Sequence, residues 1–268
     1  MSITPFCSFL TALALVFSIA DASAQTPTFE PTPGQAGKDV VWVPTPPELV
    51  EKMLDMAKVT PQDIVMDLGS GDGRNVIAAA KRGARAYGFE YNPEMVALSR
   101  RRAQEAGVAD RATFIEGDMF EADVSKATVL ALFLLPSNLD KLAPKFLALK
   151  PGTRIVNNTF NVTGWEADAS ETVGGSCTSW CTAMLNIVPA QVAGIWRSGS
   201  YDLQLKQDFQ TVSGTLGTSA IAGGRLKGDE IIFKAGDTEY RGRVGADRIE
   251  GTATTAGKKE NWTATRQR

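Results

Sequence analysis

The chain has 268 residues, 43% of them hydrophobic, with 28 basic and 30 acidic side chains and a formal net charge of -2. That length holds one large or two modest domains, and the charge balance lacks the electrostatic footprint of a nucleic-acid binder. Histidine is absent, which excludes Ser-His-Asp and Cys-His catalysis and any histidine-ligated metal, so no metal site is expected.

Residues 1–24 read as a signal peptide. The run from Phe9 to Ala20 is apolar but short for a membrane span, and Ala22-Ser23-Ala24 offers a small-x-small cleavage site. The expectation is an exported, periplasmic protein with no stable membrane span after cleavage. No Lys or Arg precedes the apolar run, which keeps two alternatives open. One is a membrane anchor left uncleaved, the other a misassigned start and a cytoplasmic protein. Residues 25–40 are Pro/Thr/Gly-rich without a hydrophobic period and read as a linker or extended arm.

Residues 41–190 alternate regularly. A helix is expected from Pro46 or Pro47, carrying Leu49, Val50, Met53, Leu54 and Ala57 on one face. Strands follow at 64–68, 86–90, 112–116, 128–134 and 153–158, with helices at 75–82, 93–106 and 138–149 between them. This spacing predicts an α/β fold, a doubly wound, mostly parallel sheet with helices on both faces. From Ala193 onward the pattern turns to short period-2 segments separated by polar turns such as Lys227-Gly228-Asp229. Residues 191–268 should therefore form a small antiparallel all-β domain, a sandwich or a barrel.

The chemistry concentrates where the first strand ends. Asp67 closes an apolar run, and Gly69, Gly71 and Gly73 follow at alternate positions. A dinucleotide site would want Gly-x-Gly-x-x-Gly, with a small residue where Arg74 stands. The stretch instead resembles the first motif of class I (seven-strand) S-adenosylmethionine-dependent methyltransferases, whose fold is Rossmann-like. The resemblance implies S-adenosyl-L-methionine as cofactor, with Asp67 near its amino-acid end and the glycines admitting its backbone-hugging pose. Glu90, in Gly88-Phe89-Glu90-Tyr91-Asn92-Pro93, then matches the acid that holds the ribose hydroxyls, with Asn92 beside it. Asp118, in Glu116-Gly117-Asp118-Met119, matches the contact to the adenine amino group, and Met119 would pack on the ring.

Three stretches look like a narrower group, the small lysine-directed seven-strand methyltransferases and their bacterial relatives. They are Val43-Pro44-Thr45-Pro46, the loop Asp67 to Arg74, and Leu134-Leu135-Pro136-Ser137-Asn138. The resemblance places Thr45 near the methyl donor and the acceptor near Leu135, Pro136 and Asn138. It implies N-methylation of a protein lysine, although the β-rich tail is foreign to the mitochondrial members and their substrates do not carry over. The alternative is an exported binding protein whose nucleotide-binding fold is non-catalytic and whose β domain carries recognition. Methyl transfer relies on positioning and desolvation more than on a dedicated base, so no catalytic residue is named.

Two further features bear on function. Cys177 and Cys181 could close a small disulfide loop in an oxidising compartment, or be unrelated thiols; two thiolates alone cannot fill a zinc shell. Arg100-Arg101-Arg102 on the expected second helix reads as a solvated face.

Overall fold

A computed structural model describes residues 1, 2, 29–175 and 177–267. The expected signal peptide, beyond its first two residues, lies outside the described residues. Among those described, no helix is long and apolar enough to cross a membrane.

The first unit is a seven-stranded sheet in the order β3-β2-β1-β4-β5-β7-β6. Its parallel part comprises β1 (Ile64–Leu68), β2 (Arg85–Glu90), β3 (Ala112–Glu116), β4 (Val129–Leu132) and β5 (Arg154–Asn158). The fully buried Val-Leu-Ala-Leu of β4 is what a strand covered on both faces requires. The covering helices are α1 (Pro47–Met56), α2 (Arg74–Lys81), α3 (Pro93–Glu105) and α4 (Pro136–Leu147). Proline opens α1, α3 and α4, where its missing N–H would have had no helical partner. On one face of the sheet Leu49, Met53, Ala79 and Val96 pack into a core; on the other Leu130, Leu139, Phe146 and Trp165 form a second.

Two strands between Asn158 and Ile187 are absent from the sequence expectation. The pair β6 (Ala169–Thr172) and β7 (Thr182–Ile187) forms an antiparallel hairpin at the sheet edge, with β7 antiparallel to β5. Every residue of β6 is exposed, so it carries no apolar alternation to read. The fourth strand also ends earlier than expected. Phe133 and Leu134 leave the sheet after Leu132, and α4 begins at Pro136 rather than at Asn138.

The C-terminal unit is a closed barrel of β8 (Gly194–Ser198), β9 (Tyr201–Asp208), β10 (Thr211–Leu216), β11 (Ser219–Lys227), β12 (Glu230–Ala235), β13 (Thr238–Val244), β14 (Arg248–Thr255) and β15 (Lys258–Arg266). Each strand pairs antiparallel with the next, and β15 closes on β8. Closure leaves no unpaired edge. Trp196, Leu203, Leu226, Ile231, Phe233, Ile249 and Trp262 fill the interior, so the barrel is a packed core rather than a cup.

The two units share an interface. Phe209 stacks on Trp165 with ring centroids 5.2 Å apart, and Gln210 donates to the Glu166 carbonyl at 2.7 Å. Arg225 pairs with the half-buried Asp168 at 3.1 Å, and the Ala190 N–H donates to the Gly228 carbonyl.

Candidate active site

A cavity of about 230 Å³ opens at the C-terminal ends of the parallel strands, where open α/β sheets hold their ligands. Asp67 on β1, Glu90 on β2 and Asp118 just beyond β3 line it together, one from each of three neighbouring strands. Gly69, Gly71, Thr45, Asn92, Met119 and Leu135 line it as well.

The loop after β1 is shaped by its glycines. Gly69 and Gly71 have φ of 71° and 55°, a region that L side chains avoid. A Cβ on Gly71 would lie 2.6 Å from the Trp42 indole nitrogen. Gly71→Ala should therefore cost about 1–2 kcal/mol from its φ alone, with displacement of Trp42 added. Urea denaturation and the Trp42 environment by fluorescence would check this. Gly73 serves packing instead. It is the N-cap of α2 at φ 80°, and a Cβ there would meet Phe114 at 2.7 Å and Ser99 at 2.9 Å.

Glu90 braces the loop from β2. One carboxylate oxygen accepts from the Gly71 N–H at 2.9 Å and the other from the Asn92 N–H at 2.9 Å. Each oxygen keeps a lone pair for a hydroxyl in the cavity. The Asn92 side chain caps α3, accepting from the Glu94 N–H at 2.8 Å. Ser99 donates to the Gly71 carbonyl at 2.9 Å.

Asp67 is buried, and its oxygen accepts from the Asn75 amide at 3.1 Å. Burial pushes its carboxyl well above the usual range; the charges of Glu90 and Asp72 add to this, and the Asn75 bond opposes it. Nearby Asp72 is the opposite case. Burial pushes it up, but the Arg74 hydrogen bond, with the charges of Arg74 and Arg102, holds it below the ordinary carboxylate value. Two buried acids five residues apart thus differ because Asp72 has arginine partners and Asp67 has no cation beside it.

Residues 29–45 run along this site, although up to residue 40 the composition predicts only a linker or arm. Glu30 accepts from Arg101 at 3.1 Å and from Arg102 at 3.0 Å. Lys38 pairs with Asp118 at 2.9 Å, and Arg74 donates to the Thr45 carbonyl at 2.6 Å. Arg100–Arg102 form a partly solvated face that also ties distant segments together. Arg100 donates to the Phe114 carbonyl at 2.7 Å, and Arg102 also reaches the buried Asp72. These partners come from distant segments, which a charge run does not reveal.

The far side of the cavity is lined by Phe133, Leu134, Leu135, Phe160 and Trp180. Pro136 and Asn138 lie outside that lining, in the first turn of α4. Asn138 is buried, and its amide nitrogen has no hydrogen-bond partner among the described residues. Cys177 and Cys181 form a disulfide in the turn joining β6 to β7. The residues that sequence reasoning passed over are Lys38, Trp42, Phe133, Phe160 and Trp180. The one available signal was an aromatic set beside a motif, as in Val41-Trp42-Val43 and in Trp180-Cys181.

Comparison with known proteins agrees with this geometry. Residues 67–169 match a family profile described as the ANTKMT methyltransferase domain. The chain is 45% identical over 129 residues to a protein-lysine N-methyltransferase of Saccharolobus islandicus, covering 47% of this chain and 80% of that protein. It is 37% identical over 119 residues to the mouse adenine nucleotide translocase lysine N-methyltransferase, covering 44% of this chain and 52% of the relative. A crystal structure of an RNA methyltransferase from Salinibacter ruber with S-adenosyl-L-homocysteine superposes with a TM-score of 0.52 at 44% identity, covering 56% of this chain and 96% of that one. The chain belongs to the family of these protein-lysine N-methyltransferases, within the seven-strand enzymes that use S-adenosylmethionine.

Proposed function

We propose that this S-adenosylmethionine-dependent methyltransferase modifies the side-chain nitrogen of a protein lysine. The observation that carries the proposal is the buried Asp67 carboxylate, which opens into a cavity that continues past Glu90 to Asp118. A cationic ammonium at one end and hydroxyl and amino donors beyond it are what this acid series fits. Asp67 takes the donor's amino-acid end, with Gly69 and Gly71 presenting backbone close to it. Glu90 accepts the ribose hydroxyls with Asn92 positioning it, Asp118 accepts from the adenine amino group, and Met119 packs on the ring. Thr45 and the arm around Trp42 cover the donor from above. The packing role of Gly73 is to seat α2 against Phe114 and Ser99.

When bound, S-adenosylmethionine supplies a methyl group on a positively charged sulfur, which an amine takes with its lone pair as the carbon–sulfur pair returns to sulfur. The protein holds the partners in line and keeps water out. An acceptor lysine must shed its proton to solvent first, and entry into an apolar cavity promotes that loss. Leu135 lies on the acceptor side, with Pro136 and Asn138 setting the direction of α4 behind it.

Donor binding should release a proton. In the empty site burial keeps Asp67 protonated above the usual carboxylate pH range, while a bound ammonium favours the ionised form. Affinity should therefore rise with pH until Asp67 is ionised in the empty protein, by at most tenfold per unit. Calorimetry in buffers of different ionisation enthalpy reads the proton directly. Affinity independent of pH would contradict the role given to Asp67.

The expected signal peptide and the disulfide support export to an oxidising compartment, with the uncleaved and cytoplasmic alternatives decided by fractionation and N-terminal sequencing. The acceptor is tested with methyl-labelled donor and a whole-cell extract, followed by hydrolysis. Label recovered as methyllysine supports the proposal. Label in nucleic acid would favour the activity named for the Salinibacter relative, and no donor binding at all would favour a non-catalytic binding protein.

A further inference from the structure

The order of strands says where an acceptor enters, given the lysine-methylating reading above. In the sheet, β3, β2, β1, β4, β5 and β7 lie side by side. Asp118, Glu90 and Asp67 stand at the ends of the first three, so a donor held by them runs from adenine to methionine in that order. Its reactive end then faces the strands that come next.

What stands there is aromatic. Phe133 follows β4, Phe160 follows β5, and Trp180 lies in the turn before β7, and all three line the cavity. Phe133 and Phe160 stack at 6.3 Å between centroids with planes 19° apart. Trp180 leans on Phe133 at 6.1 Å and 56°, and is 45% exposed at the mouth. Its backbone sits at φ 55°, a conformation rare for an L residue, immediately before the disulfide-bonded Cys181. The turn is also tied to its neighbours, since Val173 donates to the Cys181 carbonyl at 2.9 Å and Thr159 to the Thr182 carbonyl at 2.7 Å.

We infer that Phe133, Phe160 and Trp180 form the channel that receives the acceptor lysine, and that the disulfide-bracketed turn holds Trp180 as the element selecting for it. The two demands of a lysine side chain are met in sequence along this path. At the exposed mouth the indole face attracts an ammonium or methylammonium cation through its quadrupole. Deeper in, the phenyl rings pack on the methylenes and exclude water, which favours the neutral amine. A rotating, unbracketed Trp180 would lose conformational freedom on every binding event; the disulfide limits that freedom beforehand.

The test uses the full chain saturated with S-adenosylhomocysteine and titrates Nα-acetyl-Nε-trimethyllysine methylamide by calorimetry. Wild type should bind, Trp180→Ala should bind roughly tenfold more weakly, and Trp180→Phe should recover most of the loss. Reducing the disulfide in wild type, or Cys177→Ser with Cys181→Ser, should weaken binding in the same direction. S-adenosylhomocysteine affinity, measured separately, should stay within about twofold in all variants, which shows that they are folded. No binding to wild type at millimolar probe, or equal binding to wild type and Trp180→Ala, overturns the channel. Binding that depends on Trp180 but is indifferent to reduction overturns the role of the disulfide. Trp180-dependent binding with no methyllysine formed in the extract assay overturns the acceptor reading alone.

Discussion

Asp67→Asn should stabilise the empty protein while removing most of its affinity for S-adenosylmethionine. The wild-type carboxyl is buried and its pKa is raised well above normal in the folded state. A group raised in this way contributes its full stability below its unfolded pKa and loses it as pH rises through the folded value. At neutral pH and above, the neutral amide escapes that penalty and still accepts from Asn75. The thermal midpoint of the empty variant should therefore exceed wild type at alkaline pH and converge with it under acid. Donor binding moves the other way, because an amide offers no charge to an ammonium. A charge-assisted hydrogen bond is worth about 1.5–3 kcal/mol, so affinity should fall roughly 10- to 150-fold. Melting curves against pH, with and without donor, read both signs in one experiment. A variant that is both less stable and fully binding would sink the assignment.

Trp196→Ala should produce the largest loss of stability. The indole is fully buried in the barrel, donates to the Val192 carbonyl at 2.8 Å, and carries the Arg266 guanidinium 4.2 Å from its ring centre. Truncating a buried tryptophan costs about 3–5 kcal/mol. The consequence should not stay within the barrel. Phe209 covers Trp165, which is 2% exposed and belongs to the core beneath α4, and Arg225 neutralises the half-buried Asp168. Loss of the barrel strips both contacts from the α/β unit. Calorimetry should show one cooperative transition in wild type and a lowered one in the variant. Two separate transitions, with the upper unchanged by Trp196→Ala, would mean that the barrel is energetically independent. Removing residues 191–268 should for the same reason lower the melting temperature of what remains.

The alternation of strand and helix between Pro47 and Asn158 was legible because burial on both faces leaves unbroken apolar runs such as Val129 to Leu132. The hairpin of β6 and β7 was not, because Ala169–Thr172 is exposed along its length and is ordered by pairing with β7. The barrel was legible as a class but not in strand count. Strands such as Thr211–Leu216 and Ser219–Lys227 are rich in Gly, Ser, Thr and Ala and take their shape from neighbours packed against glycine, as where Gly224 meets Val212.

By itself the sequence located the acids and most of the glycines that line the cavity of the proposed donor site. Asp67, the glycines, Glu90 and Asp118 fall at strand ends, and strand ends are set by local pattern, so position along the chain already implied position in the site. Only the tertiary structure decided the rest. It brought the arm from Glu30 to Thr45 onto the loop through Arg74, Arg101, Arg102 and Lys38. It seated the barrel on Trp165, and it gathered Phe133, Phe160 and Trp180 from three separate strand ends. Those contacts join residues tens of positions apart, and their pairing is set by sheet order and packing, which no local period records.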